Sequence, residues 1–164
     1  MNFIDHIKPE NIILNLEELS IKKLAEQFTK LVLSNSNVDD VSSVAEEIVN
    51  RIIGRQKLGS TAIGNGVALM YPDNYSANFI KEPVIVIGIS KKGIKWFLED
   101  NPDKNTSLDD KPVHIIYYEL VPVMDNHIKL IAGFCRIVRD KNIYNKLINA
   151  ENPSEVVNVL KENK

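Results

Sequence analysis

Two stretches of the chain place apolar residues at helical spacing before any strand pattern begins. From Ser20 onward, Ile21, Leu24, Ala25, Phe28, Leu31 and Val32 recur at i, i+3, i+4 and i+7, with Ser20 set to cap the first turn. A second amphipathic run follows Asp40 through Val41, Val44, Ala45, Ile48, Val49, Ile52 and Ile53, and Gly54 marks its expected end. The pattern then changes. "PVIVIGIS" after Glu82 and "PVHIIYYELV" after Lys111 are nearly continuous apolar runs, as strands covered by helices on both faces require. "STAIGNGVALMY" reads as a strand or hairpin broken at "GNG", because Gly64 and Gly66 weaken a strand while Val67 to Met70 favour one.

Past Pro122 the helical period returns, with His127, Leu130, Ile131, Phe134 and Val138 on one face and Asp125 or Asn126 available as cap. A short helix is expected around Ile143 to Ile148. The last helix has a complete start signal: Asn152 as cap, Pro153 at the first helical position and Glu155 three residues after the cap. Between Trp96 and Pro112 the polar, acidic "FLEDNPDKNTSLDDK" is a solvated excursion, since its acids lack the spacing of a calcium loop. The pattern predicts an α/β fold, a mixed β-sheet sandwiched between helices, with residues 1–164 as one domain.

Length and composition agree with this. At 164 residues a chain buries roughly two-thirds of its unfolded surface, enough for one core. Twenty basic residues against twenty-two acidic ones, with no long run of either sign, argue against a nucleic-acid footprint. No window approaches the roughly 18 apolar residues of a membrane span, and the N-terminus lacks the apolar core of a signal peptide, so a cytoplasmic protein is expected. The single Cys135 sits at helical spacing among Ile131, Phe134 and Val138 and reads as a buried apolar residue.

Candidate chemistry is sparse. The three histidines are far apart, no His-Glu pair falls at helical spacing, and neither a nucleophile elbow nor a "GxxxxGK[ST]" loop occurs, so no metal and no cofactor are expected. His6 reads as exposed and His114 as a hydrogen-bonded strand residue. His127 is different, because it falls in the first turn of a helix and on its inward side. There it would either donate to an anion held at the helix N-terminus or help to close the helix end. Gly64 and Gly66 permit left-handed backbone, which serves an anion-binding nest or the strand geometry alone.

The segment "RQKLGSTAIGNGVAL" resembles the signature "RExxGSTGIGNGIAIPH" of the type-2 EIIA domains of the phosphotransferase system, the fructose, mannitol and nitrogen-regulatory EIIA proteins. Arg55, Leu58, Gly59, Ser60, Thr61, Ile63, Gly64, Asn65, Gly66 and Ala68 carry the match. "PVHIIYYELVP" and "HIKLIAGFCRIVRD" are similar to the family's "PVxLxFxLLVP" and "HLxxLxxLxxxLxD", and "ENIILNL" and "GIKW" extend the likeness over nearly the whole chain. The resemblance implies a mixed sheet between helices. It also implies that the histidine ending "AIPH" accepts a phosphoryl group from a phosphocarrier protein. A second histidine, matching His127, helps to hold that group, and Arg55 and Thr61 match positions lining the site.

Counted residue by residue, the acceptor position is Tyr71, with Met70 where the family has proline. Matching Pro72 instead puts Asp73 at the acceptor place, and no histidine occurs between His6 and His114. A phenol with a pKa near 10 is only about 0.1% ionised at neutral pH, whereas an imidazole near 6.5 is largely a free nitrogen nucleophile. The resemblance therefore implies an EIIA-like protein without its acceptor, a regulatory protein-binding module with a phosphocarrier protein or a regulatory target as partner. The alternative is an active phosphocarrier that uses His127 or another acceptor.

Overall fold

The computed structural model describes all residues 1–164. The expectation that helices precede any strand is corrected by a two-residue strand, Ile12–Ile13, which comes before both N-terminal helices: α1, Ile21–Ser34, whose cap Ser20 accepts from the Lys23 amide, and α2, Val41–Leu58, capped by the Asp40 carboxylate on the Ser43 amide. Five strands follow the sheet order β1-β4-β5-β3-β2: β1 (Ile12–Ile13), β2 (Ala62–Gly64), β3 (Val67–Met70), β4 (Val84–Ile94) and β5 (Val113–Leu120). Strand pairs β1·β4 and β3·β5 are parallel, and β4·β5 and β2·β3 antiparallel, so the sheet is mixed. Helices α3 (His127–Val138), α4 (Lys141–Ile148) and α5 (Pro153–Glu162) complete the chain. The expected α/β fold, a mixed sheet between helices, is what forms.

Strand periodicity of two persists inside the continuous apolar runs and sorts them onto two cores. Ala68, Met70, Ile116 and Tyr118 join Phe28, Ile48 and Ile52 of α1 and α2, while Val67, Leu69, Ile115 and Tyr117 join Phe134, Leu147 and Val156 of α3, α4 and α5. Tyr118 crosses the first core to exchange a 3.0 Å hydrogen bond with Thr29. The Trp96 indole donates to the buried Gln56 amide oxygen at 3.2 Å.

Three local expectations are corrected. Helix α2 does not stop at Gly54 but runs on to Leu58, because Gly54 faces open space and Ile52 and Gln56 continue the buried face across it. The first turn of α3 has no side-chain cap from Asp125 or Asn126; Met124–Asn126 form a 3-10 turn that leads straight into the helix. Cys135 is half-buried rather than buried, although burial still raises its thiol pKa. At α5 the expected cap forms, with Asn152 accepting from the Glu155 amide at 3.0 Å.

Burial raises the phenol of Tyr118 well above its ordinary 10, and burial followed by the adjacent Glu119 charge does the same to Tyr117. Above pH 10 the unfolded chain loses these protons while the folded chain keeps them, so stability falls as pH rises. Urea midpoints measured from pH 9 to pH 11 should fall, and Tyr118→Phe should flatten the slope. Absorbance near 295 nm should show both phenols ionising only with unfolding.

Candidate functional site

β3 ends at Met70, and the alternation that turns Val67 and Leu69 toward α3 carries Tyr71 to the same side. β5 runs parallel to β3 with Met70 opposite Tyr118, so Glu119 emerges at the same end and on the same face as Tyr117. The first residue of α3 arrives there too: His127 packs against Tyr71 with ring centroids 4.4 Å apart and planes at 62°. Arg55, one turn before the end of α2, donates from Nε to the Tyr71 hydroxyl at 3.0 Å and from Nη1 to the Gly59 carbonyl at 2.9 Å. Four sheet and helix ends thus meet.

Beneath the two rings lies a buried carboxylate. Glu119 is 1% exposed and accepts from the Tyr117 hydroxyl at 2.5 Å and from Nδ1 of His127. A buried charge is tolerated only when hydrogen-bonded, and here both carboxylate oxygens have partners. With Nδ1 held by Glu119, Nε2 is the imidazole nitrogen left for chemistry. The phenol oxygen of Tyr71 accepts from Arg55.

Thr61 is buried, and its hydroxyl accepts from the Gln56 amide and donates to the Leu69 carbonyl, so it ties α2 to β3 two residues before Tyr71. Gly64 and Gly66 sit at the opposite end of β3, about 16 Å from Tyr71 at strand rise, and cannot share an anion with it. They build a two-residue hairpin in which Asn65 and Gly66 both have positive φ, 54° and 77°, as a type I′ turn requires. The Asn65 amide of that turn donates to the Asp109 carboxylate at 2.7 Å, and this bond above all holds the Asp109 pKa below the usual carboxylate range. An internal carboxylate occupies the expected nest, and the acidic excursion is pinned to the hairpin through it.

His114 donates from Nδ1 to the Ser90 carbonyl, 2.9 Å away, as a hydrogen-bonded strand histidine should. Asp73 takes part through its backbone carbonyl, which accepts from Arg51. No group of three or more His, Cys, Asp or Glu side chains is arranged for a metal. Glu119 and Tyr117 escaped the sequence reading, because a glutamate among eight strand residues looks like an edge or end residue. The available signal was spacing: Ile115, Tyr117 and Glu119 share one face of a doubly covered strand, and a carboxylate there must find partners.

The family described as phosphoenolpyruvate-dependent sugar phosphotransferase system, EIIA 2, matches residues 5–163. The chain belongs to this family. Among EIIA relatives, a nitrogen regulatory protein homolog of Haemophilus influenzae is 26% identical over 159 residues, covering 95% of this chain and 88% of that protein. A fructose-specific EIIA component of Haloferax volcanii is 23% identical, covering 97% and 95%. The crystal structure of the nitrogen regulatory protein IIA-Ntr from Neisseria meningitidis superposes with a TM-score of 0.74 at 23% identity, covering 96% of this chain and 97% of that one. Mannitol EIIA of Escherichia coli, determined in complex with phosphorylated mannitol EIIB, superposes with a TM-score of 0.72 at 15% identity, covering 95% and 97%. Both share the EIIA fold. No helix of this EIIA chain is long and apolar enough to cross a membrane.

If Glu119 organises the site, Glu119→Ala strands the buried Tyr117 hydroxyl as well as His127, a loss of about 1–3 kcal/mol. Adding Tyr117→Phe should return about 1 kcal/mol of it, a coupling that a urea double-mutant cycle measures. Additive losses would show that the two side chains act separately.

Proposed function

We propose that this EIIA-family chain has exchanged phosphoryl transfer for protein binding and acts as a cytoplasmic regulatory module of the nitrogen-regulatory kind. Its partner is a phosphocarrier protein or a regulatory target protein. The observation that carries this reading is the Arg55–Tyr71 contact. Arg55 is the cation that would face a phosphoryl group on residue 71, and it is engaged by the Tyr71 hydroxyl and the Gly59 carbonyl. The phenol fills the space beside His127, and a neutral phenol is both a weak nucleophile and, once phosphorylated, a poor donor. A surface for protein binding survives around it. Leu58 and Ile128 are exposed apolar residues next in sequence to Gly59 and His127, and the exposed Val123 lies between Glu119 and His127. The neighbour from Escherichia coli was solved in a complex between EIIA and a phosphorylated protein, which supports docking by protein partners.

One observation favours a second reading. Glu119 fixes His127 through Nδ1 and leaves Nε2 free, an arrangement suited to a nitrogen nucleophile that accepts phosphate in place of residue 71.

Incubation with phosphoenolpyruvate, the first enzyme of the relay and its phosphocarrier separates the two. The leading reading expects no acid-labile phosphate on the wild-type chain and uptake by Tyr71→His. Labelling of the wild type that disappears in His127→Gln and persists in Tyr71→Phe would overturn it in favour of His127.

The docking surface has its own test. Ile128 is 77% exposed, so Ile128→Asp should leave the urea midpoint unchanged. Binding of the phosphocarrier to the immobilised chain should weaken by about tenfold or more if this residue sits in the contact.

A further inference from the structure

A second concave site lies at the other end of β3 and α3. It is a cavity of about 680 Å³ between the β2–β3 hairpin, the start of β5 and the corner where α3 passes into α4. Its floor is apolar, with Val138 of α3 at the base, and the His114 and Tyr144 rings form a wall, meeting edge to face at 6.4 Å between centroids. Its rim is cationic. Lys111 approaches it from the loop before β5, Arg139 and Lys141 from the α3–α4 corner, and none of them forms an ion pair.

The nearby carboxylates are already committed. Asp109 accepts from the Asn65 and Lys111 amides and the Ser107 hydroxyl, and Asp140 caps α4 through the Asn142 and Ile143 amides. The wall carries a polar atom without a partner: the half-buried Tyr144 hydroxyl makes no hydrogen bond in the structure. Burial, and then the charge of Asp109, raises its pKa, so it is a neutral donor at physiological pH. Its ring is seated by Gly66, where a Cβ would stand 2.1 Å from the hydroxyl. Glycine at position 66 therefore serves the pocket wall as well as the turn.

Lys111 lies near the Asp109 carboxylate, and neither Arg139 nor Lys141 has an ion-pair partner; these cations over an apolar floor, with a lone donor on an aromatic wall, select an anion attached to an organic body. A volume of this size suits a small molecule instead of a bare ion. We propose that this cavity binds a phosphomonoester carrying a ring. The phosphate, close to a dianion at neutral pH, meets Lys111, Arg139 and Lys141, and the ring lies on the Val138 floor against Tyr144. The site is separate from the Tyr71 centre, because His127 and Val138 stand eleven residues apart on α3, about 16 Å along the helix.

Isothermal titration of the full chain with AMP, ribose 5-phosphate and inorganic phosphate tests the proposal without any relay component. AMP or ribose 5-phosphate should saturate with a Kd below about 1 mM, and the stronger of the two identifies the base or the sugar as the body recognised. Arg139→Gln and Tyr144→Phe should each weaken that ligand by about tenfold, with the urea midpoint of Arg139→Gln unchanged. Three results would overturn the proposal: neither ester saturates, inorganic phosphate binds as tightly as the esters, or both variants bind as the wild type does.

Discussion

An ionised carboxylate inside a sheet-helix interface is destabilising by several kcal/mol unless its oxygens are satisfied, and Glu119 meets that condition with two side chains from different elements. Tyr117 supplies one bond from the same strand face, which requires no rearrangement. His127 supplies the other from the first residue of α3, and this fixes where the helix can begin. With the helix start set, the imidazole lies against Tyr71, and Tyr71 in turn receives Arg55 from α2. One buried charge thereby locates residues from three elements.

The same chain of contacts limits what the centre can do. Arg55 carries the positive charge on the Tyr71 side of the site, and in the folded protein that charge is directed at a phenol oxygen and a backbone carbonyl. An incoming phosphoryl group would have to displace the phenol before it met the guanidinium. Phosphoryl transfer depends on positioning and charge stabilisation, so a cation already engaged elsewhere weakens both. Holding His127 through Nδ1 acts in the opposite direction, because it orients Nε2. The competition between these two effects, at one edge-to-face pair of rings, would separate a binding module from a phosphocarrier.

From α1 onward element type and order were legible in the apolar pattern, because the helical runs after Ser20 and Asp40 and the doubly buried strands differ in period; β1, only two residues long, is too short to show one. Element ends were less so. Gly54 looked like a terminus, but a glycine facing open space on the outer side of a helix removes no packing, and the buried face carried on through Gln56. Thr61 was placed with Tyr71 by the family resemblance, and the two hairpin glycines were read as an anion-binding nest or as strand geometry alone. A strand advances about 3.3 Å per residue, so five residues place the glycines at the far end of the sheet. Glu119 was hidden for a related reason: its role comes from a histidine eight residues later, and only the parity of β5 brings the two together.

The geometry of β3 and α3 also explains why one short signature touches two places. Both elements run between the two ends of the sheet, and each presents a functional side chain at one end and a pocket residue at the other: Tyr71 and Gly66 on or beside β3, His127 and Val138 on α3. Gly66 must adopt positive φ for the hairpin and must also lack a Cβ for the Tyr144 hydroxyl to fit. A residue bound by two independent requirements tolerates less substitution than either alone would impose. The glycines of the hairpin thus answer to the turn, the Asp109 clamp and the α4 corner, none of which involves the residue at position 71. That separation leaves the hairpin frame physically independent of which side chain stands at position 71.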